Sequence, residues 1–113
     1  MVTATEPDGF PATDPRGIQV HCRLENWQTH ERRHPEIVGR SSVAAETIAR
    51  PVAIYRSHQQ PAREVYYRSM RFPAMKSAVY MRVITDSDVN GLRWIVSAHA
   101  ARRPDRREVL IWP

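Results

Sequence analysis

The chain is short of cysteine, glycine and lysine, and it has no long apolar run. A single cysteine, Cys22, among 113 residues excludes an internal disulfide and a cysteine-based zinc site. Four glycines, scattered at positions 9, 17, 39 and 91, cannot build a Gly-rich phosphate loop. No stretch approaches the roughly 18 consecutive apolar residues of a membrane span, so no membrane partner is expected. The opening stretch lacks a basic start followed by an apolar core, which speaks against a secretory signal and leaves a cytoplasmic location as the default. The length suits one compact domain, with no room for separate substrate and cofactor domains. No paired carboxylates sit at expected strand ends, which argues against a glycosidase or a two-metal nuclease. His30 and His34 have the i, i+4 spacing of two metal ligands, but Glu31 is off that face and Glu36 lies beyond Pro35. No metal site and no cofactor are therefore expected.

What is present is arginine. Of 17 cationic residues 16 are arginine, against 12 acidic ones, for a net charge of +5. The guanidinium fork pairs bidentately with phosphate and stacks on bases. A surface dominated by it points to nucleic acid or another polyanion. A GC-rich genome produces the same Arg-to-Lys ratio but does not explain the net positive sign.

Three of the nine prolines (Pro7, Pro11 and Pro15) fall in residues 1–16, a stretch read as a flexible lead-in that need not pack. Residues 17–113 then form the single domain. Residues 17–23 alternate apolar and polar positions and suit a short edge strand. A first helix is expected near residues 26–34, over LENWQTHERR, with Asn26 as a cap and an end before Pro35. Pro35 opens a further turn closed by Gly39. A second helix is expected near residues 42–50, capped by Ser41 or Ser42 and stopped by Pro51. After Pro51 the pattern has period 2. Runs at 52–57, 64–68, 78–85, 92–99 and 109–112 read as strands, with Asn90-Gly91 as a hairpin turn. The expected fold is α+β: two N-terminal helices packed on one antiparallel sheet of about four strands. Trp27, Ile37, Val43, Ile48, Ile54, Val83, Trp94, Val96 and Ile111 are the expected core.

Within this frame, His30, Arg33 and His34 share one helix face. Strict alternation in the run 92–99 places Leu92, Trp94, Val96 and Ala98 on one side, and Arg93, Ile95, Ser97 and His99 on the other. Tyr66 and Arg68 share a face. Arg102, Arg103, Arg106 and Arg107 form a basic segment around Pro104-Asp105. Cleaving RNA without metal requires a proton acceptor, a proton donor and fixed cations around the phosphorus. Histidine and arginine supply these, and tyrosine can stack bases. The plainer reading is a solvated helix face and ordinary sheet packing.

The string Trp27-x-x-His30-x-x-Arg33-His34-Pro35-Glu36 resembles the N-terminal signature of small phage- and mobile-element-associated nucleases of the BECR fold. That superfamily gathers barnase, EndoU, the tRNA-cleaving colicins and the RelE-like toxins. The resemblance continues through Thr47-Ile-x-x-Pro51, Val65-Tyr66-Tyr67-Arg68, Tyr80-Met81-Arg82-Val83, Ile95-Val96-Ser97-Ala98-His99 and Glu108-Val-Leu-Ile-Trp112. It covers about residues 24–113. It implies a helical N-terminal part on a four-stranded antiparallel sheet and metal-independent RNA cleavage by 2′-hydroxyl attack, as in a toxin or phage-associated effector. It places the catalytic roles on His30, Arg33 and Ser97. Where the family shows threonine, alanine and an aromatic, this chain has Ser97-Ala98-His99, which keeps the hydroxyl and adds an imidazole. His34, Tyr66 and His99 are additional site candidates. Arg68, Arg93, Arg102, Arg103, Arg106 and Arg107 are the expected RNA-binding surface. The alternatives are a module that binds RNA or DNA without cutting it, and a domain neutralised by an acidic antitoxin or immunity protein.

Overall fold

The computed structural model describes residues 9–113. Strand β1 (Gly9–Thr13) and strand β2 (Gln19–Arg23) form a hairpin that runs straight into helix α1 (Leu24–Arg33). A single 3₁₀ turn (Pro35–Ile37) leads to helix α2 (Ser41–Ala49). Five strands follow: β3 (Ala53–Ser57), β4 (Glu64–Ser69), β5 (Tyr80–Ser87), β6 (Arg93–Ala101) and β7 (Glu108–Trp112). The fold is α+β, as the helix-then-strand order implies, but the sheet is larger than expected and mixed. Its seven strands run β1-β2-β6-β5-β4-β3-β7. Every pairing is antiparallel except β2 with β6, which share only Val20↔Arg93 and His21↔Trp94.

Six of these strands fall on runs read as strands, and the seventh, β1, comes from the stretch read as a lead-in. Residues 9–16 are not a loose lead-in. Pro11 sits in β1, an outer strand of the sheet, where its missing N–H leaves no ladder bond broken. The rest of that expected stretch, residues 1–8, lies outside the described residues. The β1–β2 turn is held by Asp14, whose carboxylate accepts from Arg16 N and Ile18 N. The same carboxylate takes the Tyr66 hydroxyl at 2.8 Å, which ties the hairpin to β4. Residues 19–23 therefore form an interior strand rather than an edge. Both helices begin earlier than their capping residues suggest. Leu24 follows β2 without a break, so Arg23 occupies the N-cap position and Asn26 lies inside the helix. Ser41 is likewise the first residue of α2, not its cap.

The two helices pack on one face of the sheet, α1 over β1, β2 and β6 and α2 over β1, β4 and β5. The core between them holds Trp27, Ile37, Ala44, Ile48, Ile54, Tyr66, Met81, Val83, Ile95 and Ala98, with Cys22 also enclosed. Of the expected core, Val43, Trp94 and Ile111 are only half-buried, and Val96 is exposed. The cause of the last is a β-bulge. Ile84 pairs with Ser97 while Thr85 pairs with Ile95, so Val96 is an extra residue in β6. It shifts the alternation, and Ile95 and Ala98, three apart, both face the helices.

Candidate functional site

Among the described residues, no helix lies on the other face of the sheet. Cross-strand registers align Tyr67, Arg82 and His99 on it across β4, β5 and β6. Glu108 opens β7, which is separated from β5 by β3 and β4. Nevertheless its carboxylate accepts from the Tyr67 hydroxyl at 2.6 Å and also pairs with Arg82 Nη2. At about 4.8 Å per strand, three steps on a flat sheet would put those backbones roughly 14 Å apart. The sheet therefore curls toward this side, and the helix-free face is a trough.

Arg82 is the hub of the trough. Its Nε donates to the Tyr67 hydroxyl at 2.8 Å, and its Nη1 lies 3.2 Å from His99 Nε2. A guanidinium offers only donors, so Nε2 accepts and the His99 proton resides on Nδ1. That Nδ1 is buried and has no hydrogen-bond partner among the described residues. An orphaned buried donor costs about 1–3 kcal/mol, and such groups in a cleft are candidates for function. Burial first, and then the charge on Arg82 and the neighbouring His34, push the His99 pKa down to about 4, with Glu36 opposing. The imidazole is thus neutral at pH 7. His34 stacks against it, ring centres 5.1 Å apart, and Glu36 caps the open edge of β6 by accepting from Ala100 N.

Two of the clefts among the described residues open on this face. The larger, about 600 Å³, is lined by Arg82, His99, Arg103, Pro104, Arg106 and Arg107, among others. The smaller, about 150 Å³, is lined by Ser57, His58, Arg63, Arg82 and Glu108, among others. Arg82, Asp105 and Arg107 border both. Arg103, Arg106 and Arg107 are exposed along the connection from β6 to β7, with Arg102 beside them in sequence.

The residues singled out as catalytic do not come together. His30 lies on the helix side, only 7% exposed, packed edge-on to Trp27. Burial lowers its pKa, with Arg33 and His34 adding to the effect. Its Nε2 is also without a partner, but the cleft it borders contains Asp88 and one arginine, Arg23, which lies over the Trp94 ring. Arg33 is exposed on α1. Ser97 pairs with Ile84 on the trough side of the sheet, away from His30. Tyr66 cannot stack a base, because it is fully buried with its hydroxyl bound by Asp14. Nor do the six arginines form one surface. Arg68 is held by the Arg50 carbonyl and Glu46 on the helix side, and Arg93 by Ala62 O, Thr85 Oγ1 and Glu64. His99 is the one imidazole from the candidate set that faces the arginine-lined cleft. Tyr67, Arg82, Glu108 and His58 were missed. An arginine between Met81 and Val83 was the available signal, since alternation turns it away from the core.

Among the described residues no group of three His, Cys, Asp or Glu side chains is placed to hold a metal ion, and no helix is long and apolar enough to cross a membrane. Compared with known proteins, the chain matches no family model, no curated sequence and no solved structure.

The two histidines with lowered pKa values make a prediction about stability. Both have folded pKa values below the ordinary 6.5, so below that pH the unfolded chain binds protons that the folded one refuses. Stability is expected to fall as pH drops from about 6.5 to 4, before most carboxylates titrate. Thermal melts at pH 7 and pH 5 should show a lower Tm at pH 5, and His99→Gln should reduce the difference. An unchanged difference in that variant would refute the assignment.

Proposed function

We propose that this chain is a metal-independent endoribonuclease, acting in the manner of a toxin or phage-associated effector, with its reaction centre in the trough and not on α1. The observation that carries this is Arg82, set between His99 and Glu108 at the partition of two clefts, with Arg103, Arg106 and Arg107 along the rim. The BECR resemblance supports the class of reaction but not this location, since it places the roles on His30, Arg33 and Ser97.

Fixed cations at a dividing wall suit a phosphodiester with a nucleotide to either side. A bound phosphate would compete for the Arg82 guanidinium and release His99 Nε2. The neutral imidazole, kept deprotonated by burial and by Arg82, would then take the proton of the 2′-hydroxyl as it attacks phosphorus. Tyr67 would hold Arg82 and Glu108 in place, because its hydroxyl binds both. The rim arginines would carry the strand on either side, through contacts that weaken with salt. The second reading, an RNA- or DNA-binding module without cleavage, draws on the fact that Arg82, Tyr67 and Glu108 already satisfy one another. The same basic rim would also receive an acidic antitoxin or immunity protein.

The test is cleavage of RNA in EDTA by wild type, His99→Ala and His30→Ala at matched folded concentration. His99→Ala should lose about 10²–10⁴-fold in rate, whereas folded His30→Ala should cleave like wild type. A single 2′-deoxy substitution at the cleaved position should block the reaction. Salt-dependent binding without cleavage would favour the binding module. A requirement for divalent metal, or an active His99→Ala, would overturn the mechanism.

A further inference from the structure

The reaction proposed above leaves one proton unassigned. When the 2′-oxygen bonds to phosphorus and the bond from phosphorus to the 5′-oxygen breaks, the departing oxygen must receive a proton. His99 is the wrong donor, since burial and the Arg82 guanidinium hold its pKa well below neutral. Glu108 is engaged by Arg82 and by the Tyr67 hydroxyl. His34 stacks on His99 but is not among the residues lining either cleft.

The smaller cleft supplies a candidate. Strand β3 ends at Ser57, directly opposite Glu108 of β7. The chain then turns, with Gln60 N donating to Ser57 Oγ and Arg63 N donating to Gln60 O. The first residue of this turn is His58, whose backbone N–H donates to the Arg107 carbonyl at 3.1 Å. His58 is thus anchored beside the rim arginine, and this exposed residue lines the smaller cleft together with Arg82 and Glu108. His99 lines the larger cleft, which has Arg82, Asp105 and Arg107 in common with the smaller one.

We propose that His58 is a second catalytic residue, the proton donor to the departing 5′-oxygen. The inference rests on the ribonuclease reading. An in-line displacement puts the entering and leaving oxygens on opposite sides of phosphorus, so a phosphate held on Arg82 needs its acceptor and donor in different clefts. Histidine is the side chain suited to giving a proton near neutral pH. The step balances: the 2′-hydroxyl proton passes to His99, the 2′-oxygen–phosphorus bond forms, the phosphorus–5′-oxygen bond breaks, and His58 gives its proton to that oxygen. The products are a 2′,3′-cyclic phosphate and a 5′-hydroxyl, with no redox partner.

The test uses two versions of one RNA dinucleotide, the natural one and one with sulfur replacing the bridging 5′-oxygen. A thiolate leaves without a proton. Wild type should cleave both. His58→Ala should lose about 10²–10⁴-fold on the oxygen substrate yet cleave the sulfur substrate at nearly the wild-type rate. His99→Ala should be impaired on both. His58 lies exposed in a turn, and an unchanged Tm would show the variant folded. If His58→Ala cleaves the oxygen substrate like wild type, or loses both substrates equally, the assignment to His58 is overturned while the ribonuclease reading stands. A wild type inert toward both substrates overturns the ribonuclease reading and this inference with it.

Discussion

Arg82→Met is expected to destabilise the protein by about 3–5 kcal/mol, the usual effect of removing one member of a buried ion pair. The pair qualifies, because the Arg82 side chain is 16% exposed and that of Glu108 only 6%. The substitution leaves the Glu108 carboxylate with only the Tyr67 hydroxyl, and it leaves that hydroxyl without the Nε donor. The charge rather than the lost packing should dominate, since methionine fills much of the same space. The paired variant Arg82→Met/Glu108→Gln should therefore recover most of the lost stability, as buried ion pairs replaced on both sides commonly do. Urea denaturation of wild type, both single variants and the double variant gives the coupling energy directly. Additive effects would mean that the pair is not a unit. On the ribonuclease reading the double variant should still be inactive on RNA, which would separate the part Arg82 plays in the fold from the part proposed for it in cleavage.

That separation explains why the trough was hard to read from the chain. Tyr67, Arg82, His99 and Glu108 are distant in sequence and share no spacing rule, and they meet only because β4, β5 and β6 pair in one register and the sheet curls. The helix face bearing His30, Arg33 and His34 was readable by contrast, since i, i+3 and i+4 neighbours need no tertiary information. The readable set does not converge with Ser97, because α1 is amphipathic and the side turned inward is the one bearing Trp27 and His30. Both helices, the turn at Asn90-Gly91 and the strands after Pro51 were legible because periodicity and turn chemistry are local. Gly91 has φ +81°, a conformation that favours glycine. The β1 strand was not legible, since Pro11 and Pro15 speak against a strand unless its edge position is known. The bulge at Val96 was not legible either, and one inserted residue was enough to turn Val96 outward and Ile95 inward.

Trp27 is where the local and the tertiary readings agree, and Trp27→Ala is expected to cost about 3–5 kcal/mol. Total stabilities of such domains are roughly 5–15 kcal/mol, so the loss removes a large share of what holds the chain folded. The indole is 2% exposed and meets Phe10 of β1 edge-to-face at 5.7 Å, so it joins α1 to the hairpin at the sheet's outer edge. Its Nε1 donates to Glu31 at 2.9 Å, and the same carboxylate oxygen accepts from Gly39 N, closing the turn between the helices. Trp27→Phe keeps most of the apolar contact and removes only the hydrogen bond, so it should cost clearly less. The comparison is a urea titration of the three proteins, read as midpoint shifts at constant m. The consequence should reach the trough. Helix α1 is followed at once by its C-cap His34, which stacks on His99, and the turn after it places Glu36 on Ala100 N. A helix loosened at Trp27 should therefore release the edge of β6, and hydrogen exchange at Ala100 should accelerate in Trp27→Ala beyond what its global stability requires. Exchange at Ala100 that follows global unfolding alone would show that α1 does not hold that edge.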